Sequence, residues 1–316
     1  RRKMLERKHQ ELGREIDAVQ NATVPELEEA LDDHVGDDLL RLVFTACHPV
    51  LSTEARVALT LRMLGGLTTD EIGRAFLTPE KTIAQRIVRA KRTLSEARVP
   101  FEVPRGDAFI ERLSSVLQVI YLVFNEGYSA TAGDDWVRPA LCEDALRLGR
   151  ILAELVPGES EVHGLVSLME IQASRLRARV SASGEPVLLL DQNRAQWDHL
   201  MIRRGLTALA KAESFGGSLG PYALQAAIAA CHARARTAAE TDWTRIFALY
   251  DGLASLVPSP VIDLNRAVAA SMAFGPAEGL ALVDELQDEP ALKQYHLLPS
   301  VRGDLLFKQS RYDEAR

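Results

Sequence analysis

The segment Leu67–Leu94 constrains the fold most, because it has the pattern of a helix-turn-helix. Thr68 and Glu71 have the spacing of a capping box, in which a hydroxyl and a carboxylate satisfy free N–H groups at a helix start. Thr78 is predicted to cap a second helix, with Pro79 at its first position, where the missing N–H costs nothing. A turn of about three residues separates the two predicted helices, as this motif requires. The pattern therefore predicts a DNA-binding protein.

The second predicted helix has one apolar face and one basic face. On a helical wheel, Ile87, Ala90 and Leu94 fall within about 40° of Ile83. Between Glu80 and Arg98 there are six Lys or Arg and two Glu, a net charge of +4, whereas the whole chain carries −7. Such a division is typical of a recognition helix, since Arg and Gln bond base edges and Lys, Arg and Thr bond phosphates. The alternative is the solvated face of an ordinary surface helix. The outward side chains, with Arg86 on their flank, are Lys81, Thr82, Gln85, Arg89 and Arg92.

Composition favours an all-α protein of the cytoplasm. Hydrophobic residues make up 47% of the 316 residues and aromatic residues 6%, and Ala, Leu and Arg are abundant. No run approaches the ~18–20 apolar residues of a membrane span, and no signal-peptide pattern opens the chain. The three cysteines Cys47, Cys142 and Cys231 are far apart and odd in number, which indicates a reducing compartment rather than a disulfide framework.

Five segments are predicted along the chain. A basic helix end and an acidic linker precede a four-helix unit, in which Ser52 caps one helix and Gly65 and Gly66 end it. A proline-containing linker then leads to a helical extension, whose last part pairs helices with an internal period. Because the chain begins with Arg1, we expect the native protein to have residues before it. The predicted boundaries are 1–37, 38–99, 100–106, 107–217 and 218–316.

The extension is predicted to begin with an apolar helix over 108–124 and a polar loop over 125–139. Further helices are expected over about 140–155, 159–179 and 193–215. A shift of 36 residues then superposes Cys231 on Ala267 and Gly303, and Trp243 on Gly279 and Ala315. Small residues at fixed places in helix pairs predict a short solenoid of the tetratricopeptide kind that continues past the last residue. Chance similarity among helices rich in Ala and Leu is the alternative.

The segment from Asp38 to Arg98 resembles region 4 of a bacterial sigma factor of the extracytoplasmic-function class. In that resemblance GLTTDEIGRAF is the positioning helix, and TPEKTIAQRIVRAKRTL is the helix that reads the −35 promoter element. Residues 1–12 resemble the tail of region 2, most of which is absent from this chain. The remainder, with the phrases CHPVLSTEARVALTLR and VIYLVFNEGYSA, resembles a subgroup with a helical, tetratricopeptide-like C-terminal extension.

The resemblance implies a function in transcription initiation. Promoter DNA and core RNA polymerase would be the partners. Because the concave face of a solenoid binds proteins or peptides, we also expect such a partner on the C-terminal repeats and a regulatory role for the extension. The six side chains of the basic face would contact DNA, with Gln85 and Arg89 at base edges. Leu77 stands where family members commonly have Gly in the turn, so the crossing angle of the two helices is expected to differ. The acidic linker would run toward the RNA-exit path of the polymerase, or else act as a solvated spacer.

Other constellations favour structural roles, and no catalytic, cofactor or metal site is predicted. In the pairs Cys47-His48 and Cys231-His232, adjacent residues point about 100° apart on a helix, so buried thiols beside ordinary histidines are expected rather than zinc ligands. A polar patch is predicted to be a helix cap with a buried hydrogen-bond network; an enzyme site or ligand site there is an alternative. Another alternative is a stand-alone helix-turn-helix regulator with a tetratricopeptide-like sensor. The patch consists of Asp191, Asn193, Arg194, Trp197, Asp198 and His199.

Overall fold

The computed structural model describes residues 34–76, 78–129, 137–181, 184–293 and 295–315. These described residues form α-helices and short helical turns, with no β-strand among them and an isolated bridge between Val180 and Pro186. This confirms the all-α prediction. The predicted basic end, nearly all of the acidic linker, and Leu77 lie outside the described residues. The chain divides into two compact units, of which the first ends at Pro157 and the second begins at Gly158.

The first unit contains the helix-turn-helix and the start of the extension. Ser52 accepts a hydrogen bond from the Ala55 amide and so begins the second helix, as predicted. A π-helical turn, Leu61–Gly65, continues that helix, and Gly66 ends it with a left-handed φ of 73°, a conformation that glycine adopts without strain. The helices of this unit are α1 (His34–Ala46), α2 (Thr53–Thr60), α3 (Thr69–Ala75), α4 (Glu80–Glu96), α5 (Asp107–Tyr128) and α6 (Pro139–Leu155).

Helix α5 is longer than the sequence predicted. Its last turn contains Glu126, Gly127 and Tyr128, which were expected in the polar loop. This last turn packs closely on α6, since a Cβ atom on Gly127 would lie 2.7 Å from the backbone nitrogen of Cys142. Helices α5 and α6 therefore come close together at this end, and the two helices form a hairpin, here called the α5–α6 hairpin.

The α5–α6 hairpin packs on the helices that precede it rather than forming a separate domain. Helix α5 contacts α1 and α2, and α6 contacts α1 and the π-helical turn. Apolar side chains of α5 that line one cavity together with α1, such as Val116 and Ile120, are buried. The predicted linker at 100–106 is consequently not the boundary between the two compact units, because the apolar face of α5 is buried within the first unit.

Polar side chains of the hairpin also bond the carboxyl ends of the earlier helices. Arg112 donates to the Phe44 carbonyl at 3.1 Å and Ser115 donates to the Cys47 carbonyl at 2.6 Å, both at the end of α1. Arg147 donates to the carbonyls of Leu64 and Gly65, 3.2 Å each, at the end of the π-helical turn. The last carbonyl groups of a helix have no partner within it, so these bonds satisfy groups that would otherwise be buried without one.

The second unit is a succession of helices in which each packs on the next. Helix α7 contacts α8 and α9, and from α9 onward the contacts follow chain order. Glu161 accepts hydrogen bonds from the amides of Tyr222 and Ala223, so its carboxylate caps the start of α9. The helices are α7 (Ser160–Ala173), α8 (His199–Ser214), α9 (Pro221–Arg234), α10 (Trp243–Leu256), α11 (Pro260–Phe274), α12 (Pro276–Glu285) and α13 (Leu297–Lys308).

Two helix boundaries in this unit differ from the sequence prediction. Helix α7 ends at Ala173, and a 3₁₀ turn, Leu176–Ala178, follows it. Helix α8 begins at His199 rather than near Asn193, because the Asp198 side chain accepts from the amides of Leu200 and Met201 and so caps the helix there. Local periodicity could not locate either end, because each depends on the hydrogen-bond partners of the backbone groups at that point.

The predicted repeat falls on alternate helices. Cys231, Ala267 and Gly303 lie in α9, α11 and α13, and Gly279 lies in α12 between two of them. A Cβ atom on Gly279 would lie 2.4 Å from the Ser271 Cβ, so α11 and α12 approach closely through a small residue. Of the second superposed set, Trp243 and Gly279 lie in α10 and α12, whereas Ala315 lies beyond α13. A tetratricopeptide-like solenoid remains a prediction.

The polar patch at the start of α8 is a cap joined to a buried network. Trp197 is 4% exposed, and the Arg194 guanidinium lies 4.8 Å from the centre of its ring. Arg194 also donates to the carbonyls of His232, at 2.5 Å, in the last turn of α9, and of Ala235, at 2.7 Å, just after that helix. Asp198 caps α8. These contacts agree with the structural role that the sequence predicted for this patch.

We expect His232 to make the second unit sensitive to acid. Burial, and after it the charges of Arg175 and Arg194, lower the pKa of His232 from 6.5 to about 4. As the pH falls, His232 takes up a proton at a higher pH in the unfolded chain than in the folded chain. The free energy of unfolding therefore falls between about pH 6.5 and pH 4. The loss at pH 4.5 should be about 2–3 kcal/mol of unfolding free energy.

Urea denaturation of the wild type and of His232→Gln at neutral pH and at about pH 4.5 measures this loss. The variant should show the smaller difference between the two pH values, because the group that titrates has been removed. His199→Gln, at an exposed position, is the control and should keep the wild-type difference. An equal pH dependence of all three proteins would contradict the assignment to His232.

Candidate DNA-binding surface

The second helix of the helix-turn-helix, α4, is held in the first unit by one apolar stripe. Ile83, Ile87 and Ala90 are 1%, 6% and 2% exposed. They face α2 and α3, with which α4 is in contact. Leu94, predicted in the same stripe, is half-buried near the end of the helix. Burial of this stripe turns the opposite side of α4 away from the unit to which it belongs.

The basic side chains lie on that opposite side, as the helical wheel predicted. Arg86 is half-buried, and the other five are exposed, so no neighbouring helix of this unit covers them. An open groove of about 440 Å³ runs between the start of α2 and α4, and Gln85, Arg86 and Arg89 line it. Their function in binding DNA stays a prediction at this point. The five exposed residues are Lys81, Thr82, Gln85, Arg89 and Arg92.

Two of the predicted residues have acidic neighbours. Glu54 of α2 has its pKa lowered mainly by backbone and Ser52 hydrogen bonds, and the Arg86 charge adds to this effect. Arg86 therefore lies beside an acid at the flank of the face. Arg92 pairs with Glu96 at 2.6 Å, and both side chains are well exposed, so water screens this pair and it contributes little to stability.

The geometry of the turn depends on local hydrogen bonds, some of which were predicted from the sequence. The predicted capping box at α3 is confirmed: Glu71 accepts from the Thr68 amide at 2.7 Å, and Thr68 accepts from the Glu71 amide at 3.1 Å. The predicted cap at Thr78 is wrong. Its hydroxyl donates to the Phe76 carbonyl instead, and α4 begins after Pro79 without a side-chain cap. Thr69 donates to Glu80 at 2.8 Å and so joins the starts of the two helices.

Sequence reasoning missed two residues of the helix-turn-helix, Val88 on its surface and Gly73 in its interior. Val88 is 66% exposed on the outward side of α4. The same helical wheel places it among the basic residues, but it was not among the residues predicted to contact DNA. Gly73 lies inside α3, and a Cβ atom there would lie 2.7 Å from the Thr78 carbonyl oxygen. The signal for Gly73 was available, because glycine inside a helix costs about 1 kcal/mol and needs a packing reason.

The comparisons with known proteins agree with this geometry. A model of sigma-70 region 4 matches residues 41–94, which contain the helix-turn-helix. The chain belongs to the sigma-70 family. A second model, of a family of unknown function (DUF6596), matches residues 112–213 of this sigma-70 family member, from the α5–α6 hairpin into α8.

One relative matches this sigma-70 family member over most of the length of the chain. An uncharacterized protein of Rhizobium meliloti (strain 1021) is 46% identical over 292 residues, which is 92% of this chain and 68% of the relative. No solved structure matches this chain. The region 4 match gives this sigma-70 family member a sigma-factor-like role in transcription, and region 4 in general binds core RNA polymerase and promoter DNA.

The described residues add two observations about other classes of site. No described helix has the length and apolar character needed to cross a membrane. Within the described ranges, no group of three or more His, Cys, Asp or Glu side chains is placed to hold a metal ion. Cys47 and Cys231 are buried thiols, as predicted, and burial raises the pKa of Cys47 to about 11.

We expect Gly73→Ala to disturb the helix-turn-helix. The added methyl group meets a backbone oxygen that cannot rotate away, so α3 and α4 must separate, at a cost of about 1–3 kcal/mol in unfolding free energy. Urea denaturation measures this cost. Gly65→Ala in the same unit is the control, because its methyl group would meet the flexible end of the Leu67 side chain, at 3.0 Å. A Gly73→Ala variant as stable as the control would contradict the close approach.

Proposed function

We propose that this chain is part of a promoter-recognition subunit of bacterial RNA polymerase, of the extracytoplasmic-function class, acting in the cytoplasm. Helix α4 enters the major groove of the −35 promoter element. The observation that carries the proposal is the uncovered basic side of α4 opposite a buried apolar stripe. The major groove admits one α-helix, and a helix fixed along one side offers the other side to base edges.

Each residue of the basic face has a role in this proposal. Gln85 and Arg89, which border the open groove beside α2, bond base edges, since Gln suits adenine and Arg suits guanine. Val88 supplies an apolar contact of the kind that a thymine methyl group accepts. The residues that bond phosphates and so hold the helix in the groove are Lys81, Thr82, Arg86 and Arg92.

The extension regulates this activity in our proposal, and it has no catalytic role. The α5–α6 hairpin supports region 4 directly, because Arg112 and Arg147 bond the carboxyl ends of its helices. The second unit receives the signal, with a protein or peptide bound to its tetratricopeptide-like repeats, and it alters the docking of core polymerase. A succession of packed helices with a fixed period presents an extended surface of the kind that binds peptides.

A second candidate is a stand-alone helix-turn-helix regulator with a sensor domain. The burial of the α5–α6 hairpin against region 4 favours it, because this packing makes the DNA-binding unit self-contained. Pull-down with purified core RNA polymerase separates the two candidates. Stable binding supports the polymerase subunit, and sequence-specific DNA binding without polymerase binding supports the regulator.

We expect Arg89→Ala to weaken binding to a duplex selected by the wild-type chain by about 1–3 kcal/mol, because a bidentate base contact is lost. A shuffled duplex of equal length should bind the variant as it binds the wild type. Lys91→Ala is the control, since this substitution removes the same charge from the same helix at a position outside the predicted face. Fluorescence anisotropy at fixed salt measures both duplexes, and equal losses on both would make Arg89 a phosphate contact.

Truncations should separate support from regulation. A chain that ends at Pro157 keeps the first compact unit whole and should still bind core polymerase, with an affinity that no longer responds to the second unit.

A chain that ends at Gly106 loses the α5–α6 hairpin and should unfold at lower temperature, because apolar side chains such as Phe44 lose their cover. Thermal melting and polymerase pull-down test the two chains. Unchanged polymerase binding and unchanged promoter output without residues 158–316 would rule out regulation by the second unit.

A further inference from the structure

A residue outside the helix-turn-helix donates a hydrogen bond to the end of α3, where the turn begins. The Gly73 carbonyl accepts from the Thr78 amide at 2.9 Å, and the Phe76 carbonyl accepts from the Thr78 hydroxyl at 3.1 Å. The Ala75 carbonyl between them accepts from the guanidinium of Arg138. Ala75 is the last residue of α3, where helix carbonyls have no partner within the helix.

Arg138 is held in place for this bond from two sides. Its amide donates to the Gly127 carbonyl at 2.6 Å, and Pro139, the next residue, begins α6. Its guanidinium pairs with the Glu126 carboxylate at 2.5 Å, and the two side chains are 16% and 10% exposed. Little of the pair reaches water, so the geometry of one partner depends on the other more strongly than in a surface pair.

The same pair lies next to the recognition helix. Glu126 borders a groove that is also lined by Phe76 of the turn and by Ile83 and Arg86 of α4. Helix α3 is short, Thr69–Ala75, and Phe76 leads directly from it into the turn. A displacement of the end of α3 therefore moves the start of α4, and with it Gln85 and Arg89.

We propose that Arg138 is a positioning residue for promoter recognition. From the α5–α6 hairpin it sets the end of α3, and so the angle at which α4 presents its base-reading side chains. Glu126 orients Arg138 for this purpose. The inference rests on the proposed function and adds to it, because it makes the extension part of the sequence-reading device rather than only its regulator.

A purely structural role predicts a different result from a positioning role. Arg147 is the matched control, since it also leaves the hairpin to bond carbonyls of region 4, but at Leu64 and Gly65, away from the turn. If a residue only stabilises the fold, its loss reduces the folded fraction and lowers binding to every duplex alike. Loss of positioning changes the ratio between the affinity for the correct duplex and that for a shuffled one.

The experiment uses the full chain and two duplexes: one selected from a random pool by the wild type, and a shuffled version of it. Fluorescence anisotropy gives the affinity ratio for the wild type, Arg138→Ala, Arg138→Lys and Arg147→Ala. A paired neutral variant, Arg138→Gln with Glu126→Gln, leaves no buried charge unpaired and serves if Arg138→Ala does not fold. Hydrogen exchange of the amides in residues 73–84 reports on the turn directly.

We expect Arg138→Ala and the paired variant to lower the affinity ratio by about 2- to 30-fold, as typical coupling between a remote residue and a binding site does. Binding to the shuffled duplex should stay as in the wild type, and exchange in the turn should become faster. Arg138→Lys keeps a charged donor and should recover part of the ratio. Arg147→Ala should keep the wild-type ratio while melting at a lower temperature.

Two results would overturn the inference while the proposed function stands. One is a wild-type ratio in the folded Arg138→Ala and paired variants. The other is an equal loss of the ratio in Arg147→Ala. A wild-type chain that binds the selected and shuffled duplexes equally would instead overturn the proposed function, and the inference with it.

Discussion

The first unit depends on hydrogen bonds to helix ends from residues far away in the chain. Helices α2 and α3 are short, and every helix leaves terminal carbonyl groups that its own residues do not satisfy. Arg112, Ser115, Arg138 and Arg147 of the α5–α6 hairpin reach these carbonyls at the ends of α1, the π-helical turn and α3. A cation at the carboxyl end of a helix also complements the helix dipole. The DNA-binding unit is therefore complete only with the hairpin.

The second unit uses the same physical rule at both ends of one helix. Glu161 places a carboxylate at the start of α9, and Arg194 places a guanidinium at its carboxyl end, at the His232 and Ala235 carbonyls. Opposite charges at opposite ends match the direction of the dipole. Burial raises the pKa of Glu161 while its two amide donors lower it, so the hydrogen bonds offset part of the cost of burying the carboxylate. Helices that are poor in their own caps are thus held by their neighbours.

These long-range caps bear on function through the helix-turn-helix. Helix α4 has the stripe Ile83, Ile87 and Ala90 as its anchor, and its basic side follows from that anchor alone. In our proposal its angle is a separate matter, since it depends on the close approach of Gly73 to Thr78 and on the bond from Arg138 to Ala75. The residues proposed to read DNA and the residue proposed to orient them therefore lie in different parts of the chain. The match to the family of unknown function, over residues 112–213, includes Arg138.

The sequence by itself determined which segments are helical and which sides of α4 are apolar and basic. These properties follow from a period of 3.6 residues and from caps such as Thr68 and Glu71, which act within a few residues. Tertiary structure alone decided that residues 107–155 join region 4 and that Arg138 reaches Ala75 across 63 residues of chain. Such pairings leave no periodic signal, because a guanidinium can bond any carbonyl that the fold brings near it. Local patterns therefore predicted the outward basic side chains of α4, whereas the bond from Arg138 to Ala75 became visible only in the tertiary structure.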